Sequence, residues 1–220
     1  LALGVAHNYR YDPCYQTLAQ AINSGLIGRV LSVSIRFHRH RPVRPYGVDE
    51  PAPFLFIQGV HFLDTLRSLF ACEGDWVQAC CLNPPWSPYR NPARWEALVT
   101  MRNGVLIHLS GSFLSRGRQT SYRAEWRVEG ESGDLYLDQG SDAELRIVHT
   151  WDDGQGEEYL PLVQVPPARE VLLGQFFQAC SAGTEMPTSG RDNLGTLALV
   201  EALIAAAESR RAEPVRVEEG

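Results

Sequence analysis

The spacing of apolar residues predicts helices near both ends of the chain. After Asp12-Pro13, apolar residues recur every three or four positions at Tyr15, Leu18, Ala19, Ile22 and Leu26. That spacing is typical of an amphipathic helix. Asp12 suits the N-cap, and Pro13 suits the first helical position. The same period predicts a second helix from Val60, Leu63, Leu66, Leu69 and Phe70, and two closing helices at Ala168–Gly183 and Arg191–Arg211.

Between the helices, alternating apolar and polar residues predict strands. In Val30–Phe37 the residues Leu31, Val33, Ile35 and Phe37 alternate with polar positions, so this strand buries one face. Further strands are predicted at Trp76–Leu82, Trp95–Met101, Val105–Ser112, Tyr122–Glu129, Asp134–Leu137 and Glu144–His149. Asn103-Gly104 predicts a hairpin turn with positive φ angles. Asp152–Pro167 is predicted as a loop with an edge strand, and Leu1–Ala6 as a short buried strand.

This order of elements predicts an α+β domain with a predominantly antiparallel open sheet and helices packed on one face. The other sheet face must then be solvated or covered. We expect it to pack against a second subunit, because several large apolar residues fall in or beside strands: Trp95, Leu98, Phe113, Tyr122 and Trp126.

Charge and composition narrow the classes of partner. The net charge of -6 argues against nucleic acid, which needs a concentrated cationic surface. One basic cluster is interpreted as a strand end and loop, either solvated or facing an anionic ligand; it comprises Arg36, His38, Arg39, His40, Arg41 and Arg44. All 20 cationic side chains are arginine, so this chain offers no lysine for a Schiff base or a general acid. No apolar run approaches the roughly 20 residues that span a bilayer.

The cysteine spacing and the absence of known short motifs argue against several kinds of site in this chain. The five cysteines include no C-x-x-C pair, which favours reduced thiols in a cytoplasmic protein. The sequence contains no G-x-G-x-x-G, P-loop, H-E-x-x-H or G-x-S-x-G motif, so we expect no cofactor site in this chain. His38 and His40 share a strand face, a spacing open to a metal, but no third ligand is evident and no metal is expected.

Five segments in order resemble the C-terminal domain of the glucose–fructose oxidoreductase / inositol dehydrogenase / MocA-like (Gfo/Idh/MocA) family. The first two are VAHNYRYDP (residues 5–13) and INSGLIGRVLSV (residues 22–33). GVHFLDTLRSLF (residues 59–70) is similar to the family's G-[IV]-H-x-x-D-x-L helix. The Asn103-Gly104 hairpin with VEGESGDLYL (residues 128–137), and then the helix over residues 187–207, complete the match.

The resemblance implies the C-terminal fold shared with dihydrodipicolinate reductase and glyceraldehyde-3-phosphate dehydrogenase. It also implies a parent oxidoreductase that uses NAD or NADP on a sugar, polyol or related small molecule. Family members carry a preceding Rossmann domain with a glycine fingerprint and a Glu-Lys-Pro motif. We therefore expect residues 1–10 to be the remnant of the last Rossmann strand and the interdomain junction. Residues 11–220 would form the substrate-binding and oligomerisation domain, with no nicotinamide bound to this chain itself.

By the same resemblance, His61 is the catalytic acid/base, since removal of hydride from an alcohol requires a base for the hydroxyl proton. A buried structural histidine is the alternative. Asn8, Arg10, Tyr11 and Gln58 are the candidate substrate contacts. Arg10 fits an interdomain salt bridge equally well. Asp64, one turn beyond His61, is interpreted as a helix anchor.

Two departures from the family pattern keep a second hypothesis open. Ile57 stands four residues before His61, where the family usually has Asp or Asn, and Pro53-Phe54 replaces a usual Gly-Gly. The alternative is a catalytically inactive assembly or small-ligand-binding module on the same scaffold. An open His61 with a replacement polar partner, such as Gln58 or Asn8, would favour the enzyme. Sealing of His61 under Phe54 and Phe56 would favour the inactive module.

Overall fold

The computed structural model describes residues 2–43, 49–139 and 145–217. Its helices are α1 (Pro13–Asn23), α2 (Val60–Phe70), α3 (Ala168–Ala182) and α4 (Gly190–Ser209). Its strands are β1 (Val30–His38), β2 (Gly74–Leu82), β3 (Arg94–Met101), β4 (Leu106–Ser112), β5 (Glu125–Gly130), β6 (Gly133–Gln139), β7 (Leu145–Trp151), β8 (Gly156–Leu160) and β9 (Glu213–Pro214). The predicted α1 start is confirmed, because the Asp12 side chain accepts a hydrogen bond from the Cys14 N–H and Pro13 begins the helix.

Within the described residues the nine strands form one sheet in the order β8-β7-β6-β5-β1-β4-β3-β2-β9. Strands β1 and β4 pair in parallel, and every other neighbouring pair is antiparallel. The predicted α+β class with a predominantly antiparallel sheet is therefore confirmed. The predicted edge strand after Asp152 is β8, at one end of the sheet.

Helices α1, α2 and α4 cover one face of this sheet, and the core lies between these helices and the sheet. Strand residues such as Val33, Ile107 and Val128 are fully buried there. They belong to the same core cluster as Leu18 of α1, Leu63 of α2 and Leu203 of α4. Helix α3 differs, because Ala179 is its one buried residue among those described. Helix α3 lies against the 3₁₀ turn Asn8–Tyr11 rather than on the sheet.

The opposite face of the sheet carries a different set of residues from the one predicted. Trp95, Phe113 and Trp126 are buried on the helix side, which corrects their use as evidence for a bare apolar face. Leu98 is exposed, as predicted, and it is joined on the open face of β2 and β4 by two exposed residues, Trp76 and Leu106. Much of the remaining open face is polar, with Ser34, Arg36, Glu96, His108 and Arg127 among its residues.

Two strand predictions were wrong. Residues 2–6 form no buried strand. Gly4 makes one isolated bridge to Ser189, and Leu3 is 68% exposed, because no neighbouring strand in the described residues lies beside this segment. The strand predicted from Tyr122 begins at Glu125 instead. Ala124 adopts a left-handed φ of 63° that extended backbone does not allow.

Two local features were not fully predicted. In the β3–β4 hairpin Gly104 has a φ of 86°, but Asn103 keeps a negative φ and instead accepts the Val105 N–H through its side-chain oxygen. Residues Leu55–Gly59 form one π-helical turn that runs directly into α2. Such turns are frequent at functional sites, and this one lies directly before His61. Arg44 of the basic cluster and Glu144 of a predicted strand lie outside the described residues.

Candidate functional site

The predicted site residues come from two segments that meet at the N-terminal end of α2. The 3₁₀ turn Asn8–Tyr11 supplies three of them, and the π-turn leading into α2 supplies Gln58 and then His61. The structure therefore brings the two segments together. Tyr9, which the sequence did not single out, makes one of the contacts between them.

His61 is half-buried and lies against two other rings. Its imidazole stacks on the Tyr9 ring, with centroids 4.6 Å apart and planes at 22°. The His7 ring meets it edge-on at 5.7 Å. Within the described residues the buried Nδ1 of His61 has no hydrogen-bond partner. The ring is therefore positioned by packing rather than by a hydrogen bond to a carboxylate.

The electrostatics keep His61 neutral at physiological pH. Burial lowers its pKa to about 4, and the neighbouring His7 and the Arg41 guanidinium act in the same direction. A neutral imidazole accepts a proton or a hydrogen bond, which is the state a general base needs. A pKa this low also makes the imidazole a weaker base than one whose pKa lies near the operating pH, which is the value that best suits proton transfer.

Tyr9 and Gln58 form a small hydrogen-bonded group beneath the ring. The Tyr9 hydroxyl donates to the Tyr122 carbonyl at 3.0 Å. The Gln58 amide donates to the same carbonyl and to the Tyr9 hydroxyl, each at 3.1 Å. Gln58 is buried, so its amide fixes Tyr9, and through Tyr9 the His61 ring. Burial also raises the pKa of Tyr9, which keeps its hydroxyl protonated.

His7 is a second site residue that the sequence analysis missed. Its Nε2 lies 2.6 Å from the Asn193 side-chain oxygen. Because an amide oxygen only accepts, this contact assigns the proton to Nε2 and leaves Nδ1 as an acceptor. Nδ1 is buried and unpartnered in the described structure. The one sequence signal was its place in VAHNYRYDP, two residues before Tyr9.

Arg10 is committed to ion pairs inside the domain. Its Nε donates to Asp64 Oδ2 at 2.9 Å, and its terminal nitrogens contact Asp64 Oδ1, Asp192 Oδ2 and the Pro187 carbonyl. Burial works against the charge, but the two carboxylates outweigh it and raise the pKa of the guanidinium. Of the two roles considered, this geometry matches the salt bridge, formed within the domain rather than between domains. It also matches the predicted anchoring role of Asp64.

The two remaining candidates, Tyr11 and Asn8, differ in whether their side chains are hydrogen-bonded. The Tyr11 hydroxyl donates to the Gln175 side chain of α3 at 2.6 Å. The Asn8 side chain is half-buried and makes no hydrogen bond within the described residues. Neither hydrogen-bonds to His61. Asn8 is thus the polar side chain of the set with unused donors and acceptors beside the 3₁₀ turn.

The residues that replace the family pattern have a structural explanation. Phe54 is fully buried between Phe37 and Phe113, with ring centroids at 5.9 and 5.7 Å. Its ring lies against Gly111, where an added Cβ would come within 2.0 Å of it. Phe54 therefore fills the core beneath the site. In the described part of the chain, the rings in contact with His61 are those of Tyr9 and His7, not Phe54 or Phe56. Neither Gln58 nor Asn8 hydrogen-bonds to His61 there, so the replacement polar partner expected for the enzyme is not found.

Other sequence candidates lie apart from His61. His38 Nε2 contacts Ser110 Oγ at 2.9 Å, and no cluster of three metal-ligating side chains occurs among the described residues. In the 83–92 loop, the Tyr89 hydroxyl donates to the Arg41 carbonyl at 3.0 Å, and Trp86 is exposed. All five cysteines are free thiols. In the described residues no helix is both long and apolar enough to cross a membrane.

Comparison with known proteins gives a consistent result. Residues 15–136 match the family model described as GFO/IDH/MocA C-terminal domain. The chain is 31% identical over 226 residues to D-apiose dehydrogenase of Paraburkholderia graminis, covering 96% of this chain and 59% of that protein. It is 28% identical over 245 residues to the uncharacterised protein y4oX of Sinorhizobium fredii, covering 100% and 63%. The chain therefore spans about three-fifths of each of these relatives.

Solved structures share the fold at low identity. An oxidoreductase from Agrobacterium radiobacter, in complex with NAD+, L-tartaric acid and magnesium, superposes with a TM-score of 0.81 at 23% identity. That match covers 98% of this chain and 65% of the other. Levoglucosan dehydrogenase, in complex with NADH and L-sorbose, gives 0.79 at 17% identity, covering 99% and 67%.

Proposed function

Because the chain belongs to the Gfo/Idh/MocA family through its C-terminal domain, we propose that it is the substrate-binding and oligomerisation part of an oxidoreductase. The substrate class is a sugar, polyol or related small molecule. Relatives and structural neighbours support this class, since they include a D-apiose dehydrogenase and a levoglucosan dehydrogenase bound to NADH and L-sorbose. In this proposal residues 1–10 form the junction to a cofactor-binding domain, and residues 11–220 form the substrate domain.

The observation that carries the proposal is the state of His61. Its imidazole is neutral, half-buried and held between Tyr9 and His7, and its buried Nδ1 has no hydrogen-bond partner in the described structure. In the proposed reaction this ring accepts the hydroxyl proton of the substrate as the carbinol carbon loses hydride. A nicotinamide dinucleotide, NAD or NADP, would supply the hydride acceptor. It would be bound by residues outside these 220, since the chain has no glycine fingerprint.

The remaining site residues take supporting roles. Asn8 is proposed to bind a substrate hydroxyl, because its amide is free beside the 3₁₀ turn. Tyr11 and Gln58 are also proposed to line the substrate pocket; Gln58 in addition holds Tyr9 against His61. Arg10 is retained near the pocket as a positioning residue, since its ion pairs with Asp64 and Asp192 tie the turn to α2 and α4.

The open sheet face is proposed as the contact with a second copy of the chain. Trp76, Leu98 and Leu106 place exposed apolar surface on neighbouring strands of that face. Sedimentation of the wild type and of Leu98→Glu tests this. A dimer or larger species that the substitution weakens is expected, and a monomer at all micromolar concentrations would contradict it.

The enzymatic proposal is tested with the full-length gene product and a panel of sugars, polyols and sugar acids. NADH or NADPH formation is measured for each. We expect reduction of one nucleotide by a member of the panel, and no nicotinamide binding by the 220-residue chain alone. Binding of a sugar without any nucleotide reduction would favour the inactive ligand-binding module, which Ile57 in place of an acidic partner keeps as the second candidate.

A further inference from the structure

The His61 ring can act as a base on one nitrogen only if its other nitrogen carries the proton. His61 is half-buried, and Nδ1 is the nitrogen that lies inside the protein. Nε2 is therefore the nitrogen that can face a substrate. Because a neutral imidazole has one N–H and one acceptor nitrogen, a base that uses Nε2 holds its proton on Nδ1. That buried N–H then needs an acceptor.

The π-turn before α2 does not supply this acceptor. Ile57 is apolar, and the Gln58 amide donates to the Tyr9 hydroxyl and to the Tyr122 carbonyl, each at 3.1 Å. Among the described residues nothing hydrogen-bonds to His61 Nδ1. A buried N–H without a partner is costly, so we looked for the acceptor on the other segments that meet at the site.

His7 offers an acceptor on a ring that already contacts His61. The two ring centroids are 5.7 Å apart, and the ring planes are perpendicular. His7 Nε2 lies 2.6 Å from the Asn193 side-chain oxygen, so the proton of His7 is on Nε2 and its Nδ1 is an acceptor. This Nδ1 is also buried and without a hydrogen-bond partner in the described structure. A donor and an acceptor therefore lack partners on two rings that are in contact.

His7 is held in place through both its backbone and its side chain. Its N–H donates to the Val5 carbonyl at 2.8 Å, and the Val5 N–H donates to the Thr188 carbonyl at 2.8 Å. His7 is 5% exposed. Asn193 lies in the first turn of α4, which the Ser189 side chain caps. A ring fixed at both ends can orient a neighbouring catalytic group.

We propose that His7 is a positioning residue for His61 and accepts the Nδ1 proton of His61 through one buried water molecule. This inference rests on the proposed function, in which His61 is the base. The water accepts from His61 Nδ1–H and donates to His7 Nδ1, while His7 Nε2–H stays on Asn193. The two Nδ1 atoms form no direct hydrogen bond, and a buried water typically bridges polar groups that lack other partners.

This arrangement gives His61 the orienting partner that position 57 does not supply. It keeps the proton on Nδ1 and leaves Nε2 free to accept the hydroxyl proton of the substrate. A neutral imidazole stabilises an imidazolium less than a carboxylate does, so His7 fixes the tautomer without making His61 a strong base. The effect of His7 should consequently appear in the His61 tautomer and in kcat, and much less in substrate binding.

The first test locates the proton on His61 directly. ¹⁵N NMR of the full-length gene product with labelled histidine, measured without substrate, distinguishes protonated from unprotonated ring nitrogens. We expect a protonated Nδ1 and an unprotonated Nε2 on His61, and the reverse on His7. A crystal structure of the same protein should show one water within about 3.2 Å of both Nδ1 atoms. A His61 proton on Nε2, or no water shared by the two rings, would overturn the inference.

Variants then assign the tautomer to His7. His7→Phe keeps an aromatic ring but removes both nitrogens, so the Nδ1 preference of His61 should be lost. We expect kcat to fall about three- to tenfold, the rate equivalent of one net hydrogen bond, and KM to change by less than about twofold. His7→Gln can both donate to Asn193 and accept from the water, so it should recover most of the loss. His149→Phe is the matched control, since His149 is another buried histidine with an unpartnered nitrogen in the described structure, and it should keep the wild-type tautomer and kcat.

Asn193→Leu provides a second route should His7→Phe fail to fold in thermal melts. Without the Asn193 oxygen, the His7 proton is no longer confined to Nε2, so the His61 tautomers should become mixed. Asn193→Asp keeps an acceptor and should keep the wild-type tautomer. An unchanged His61 tautomer in every folded variant of His7→Phe and Asn193→Leu would contradict the proposed role. A kcat of His7→Gln as low as that of His7→Phe would contradict it as well, because ring packing rather than hydrogen bonding would then explain the loss.

Failure of the proposed function gives a different result. A protein that reduces no nucleotide with any member of the substrate panel removes the dehydrogenase, but the NMR and crystallographic measurements still decide whether His7 orients His61. Turnover and a His61 tautomer that both survive His7→Phe unchanged remove His7 and keep the dehydrogenase.

Discussion

Replacing Asp64 with Asn should destabilise the domain far more than the same change at an exposed ion pair. The Asp64 side chain is fully buried, and both of its oxygens accept hydrogen bonds from Arg10, whose side chain is 9% exposed. Asn keeps the volume but removes the charge and one acceptor. Arg10 would then remain buried with Asp192 and the Pro187 carbonyl as its remaining partners.

The size of the effect follows from that partial compensation. Removing one partner of a buried ion pair typically costs about 3–5 kcal/mol, because the other charge stays in the low dielectric. Here Asp192 still faces Arg10, and its side chain is 30% exposed, so we expect a cost at or just below the lower limit of that range, about 2–3 kcal/mol. With a urea m-value of about 2–3 kcal/mol per molar, the unfolding midpoint should fall by about 1 M.

The control is Glu185→Gln, which breaks the Arg191–Glu185 pair, where both side chains are more than 60% exposed. Exposed pairs contribute about 0–1 kcal/mol, so its midpoint should hardly move. Urea unfolding of both variants, followed by tryptophan fluorescence, gives the comparison. Equal midpoints for the two variants would refute the assignment of Arg10 to a buried structural pair and return it to the substrate contacts.

Three further predictions concern packing, thiol reactivity and pH. Gly111→Ala puts a Cβ within 2.0 Å of a buried phenylalanine ring and should lower the free energy of unfolding by about 2 kcal/mol or more. The control is Gly174→Ala on α3, where the added Cβ has open space around it; thermal melts should show it to be neutral or slightly stabilising. Burial raises the pKa of Cys14 to about 12, so mass spectrometry after iodoacetamide treatment at pH 8 should find it unmodified while the exposed Cys80 is labelled. Burial lowers the His61 pKa from 6.5 to about 4. As the pH is lowered from 6.5 to 4, the unfolded chain therefore binds this proton before the folded chain does, and the free energy of unfolding should fall by at most about 3 kcal/mol. His61→Gln should have a flatter profile of stability against pH over that range, and an unchanged profile would contradict the assigned burial.

The fold could be predicted from the sequence because its signals are local and repeated. Period-two alternation marked β1 and period-three-to-four spacing marked α1 and α2, and the structure confirms each within a few residues. The errors arose where one residue overrides the pattern. Ala124 adopts a left-handed conformation in the middle of an apparent strand, and the first six residues are apolar without a neighbouring strand in the described part of the chain.

The candidate site could be predicted only in part. Resemblance to the family predicted the role of His61. The rings that contact it come from residues distant in sequence, and nothing in the spacing of His7 or Tyr9 predicts a ring contact with His61. The assignment of Arg10 depended on Asp192, which lies 182 residues away along the chain. Large apolar residues also do not reveal which sheet face they occupy when a strand end is misplaced, as Trp126 illustrates.

The most direct test of the central claim is turnover by His61→Gln in the full-length gene product, with the best substrate of the panel. His108→Gln is the matched control, since His108 lies on the opposite face of the sheet. Loss of general-base catalysis should lower kcat by about 10²–10⁴-fold with a smaller change in KM. The control should keep wild-type kcat, and both variants should show the wild-type far-UV spectrum. A His61→Gln enzyme with kcat near that of the wild type would contradict the account, because His61 would then have no part in the chemistry.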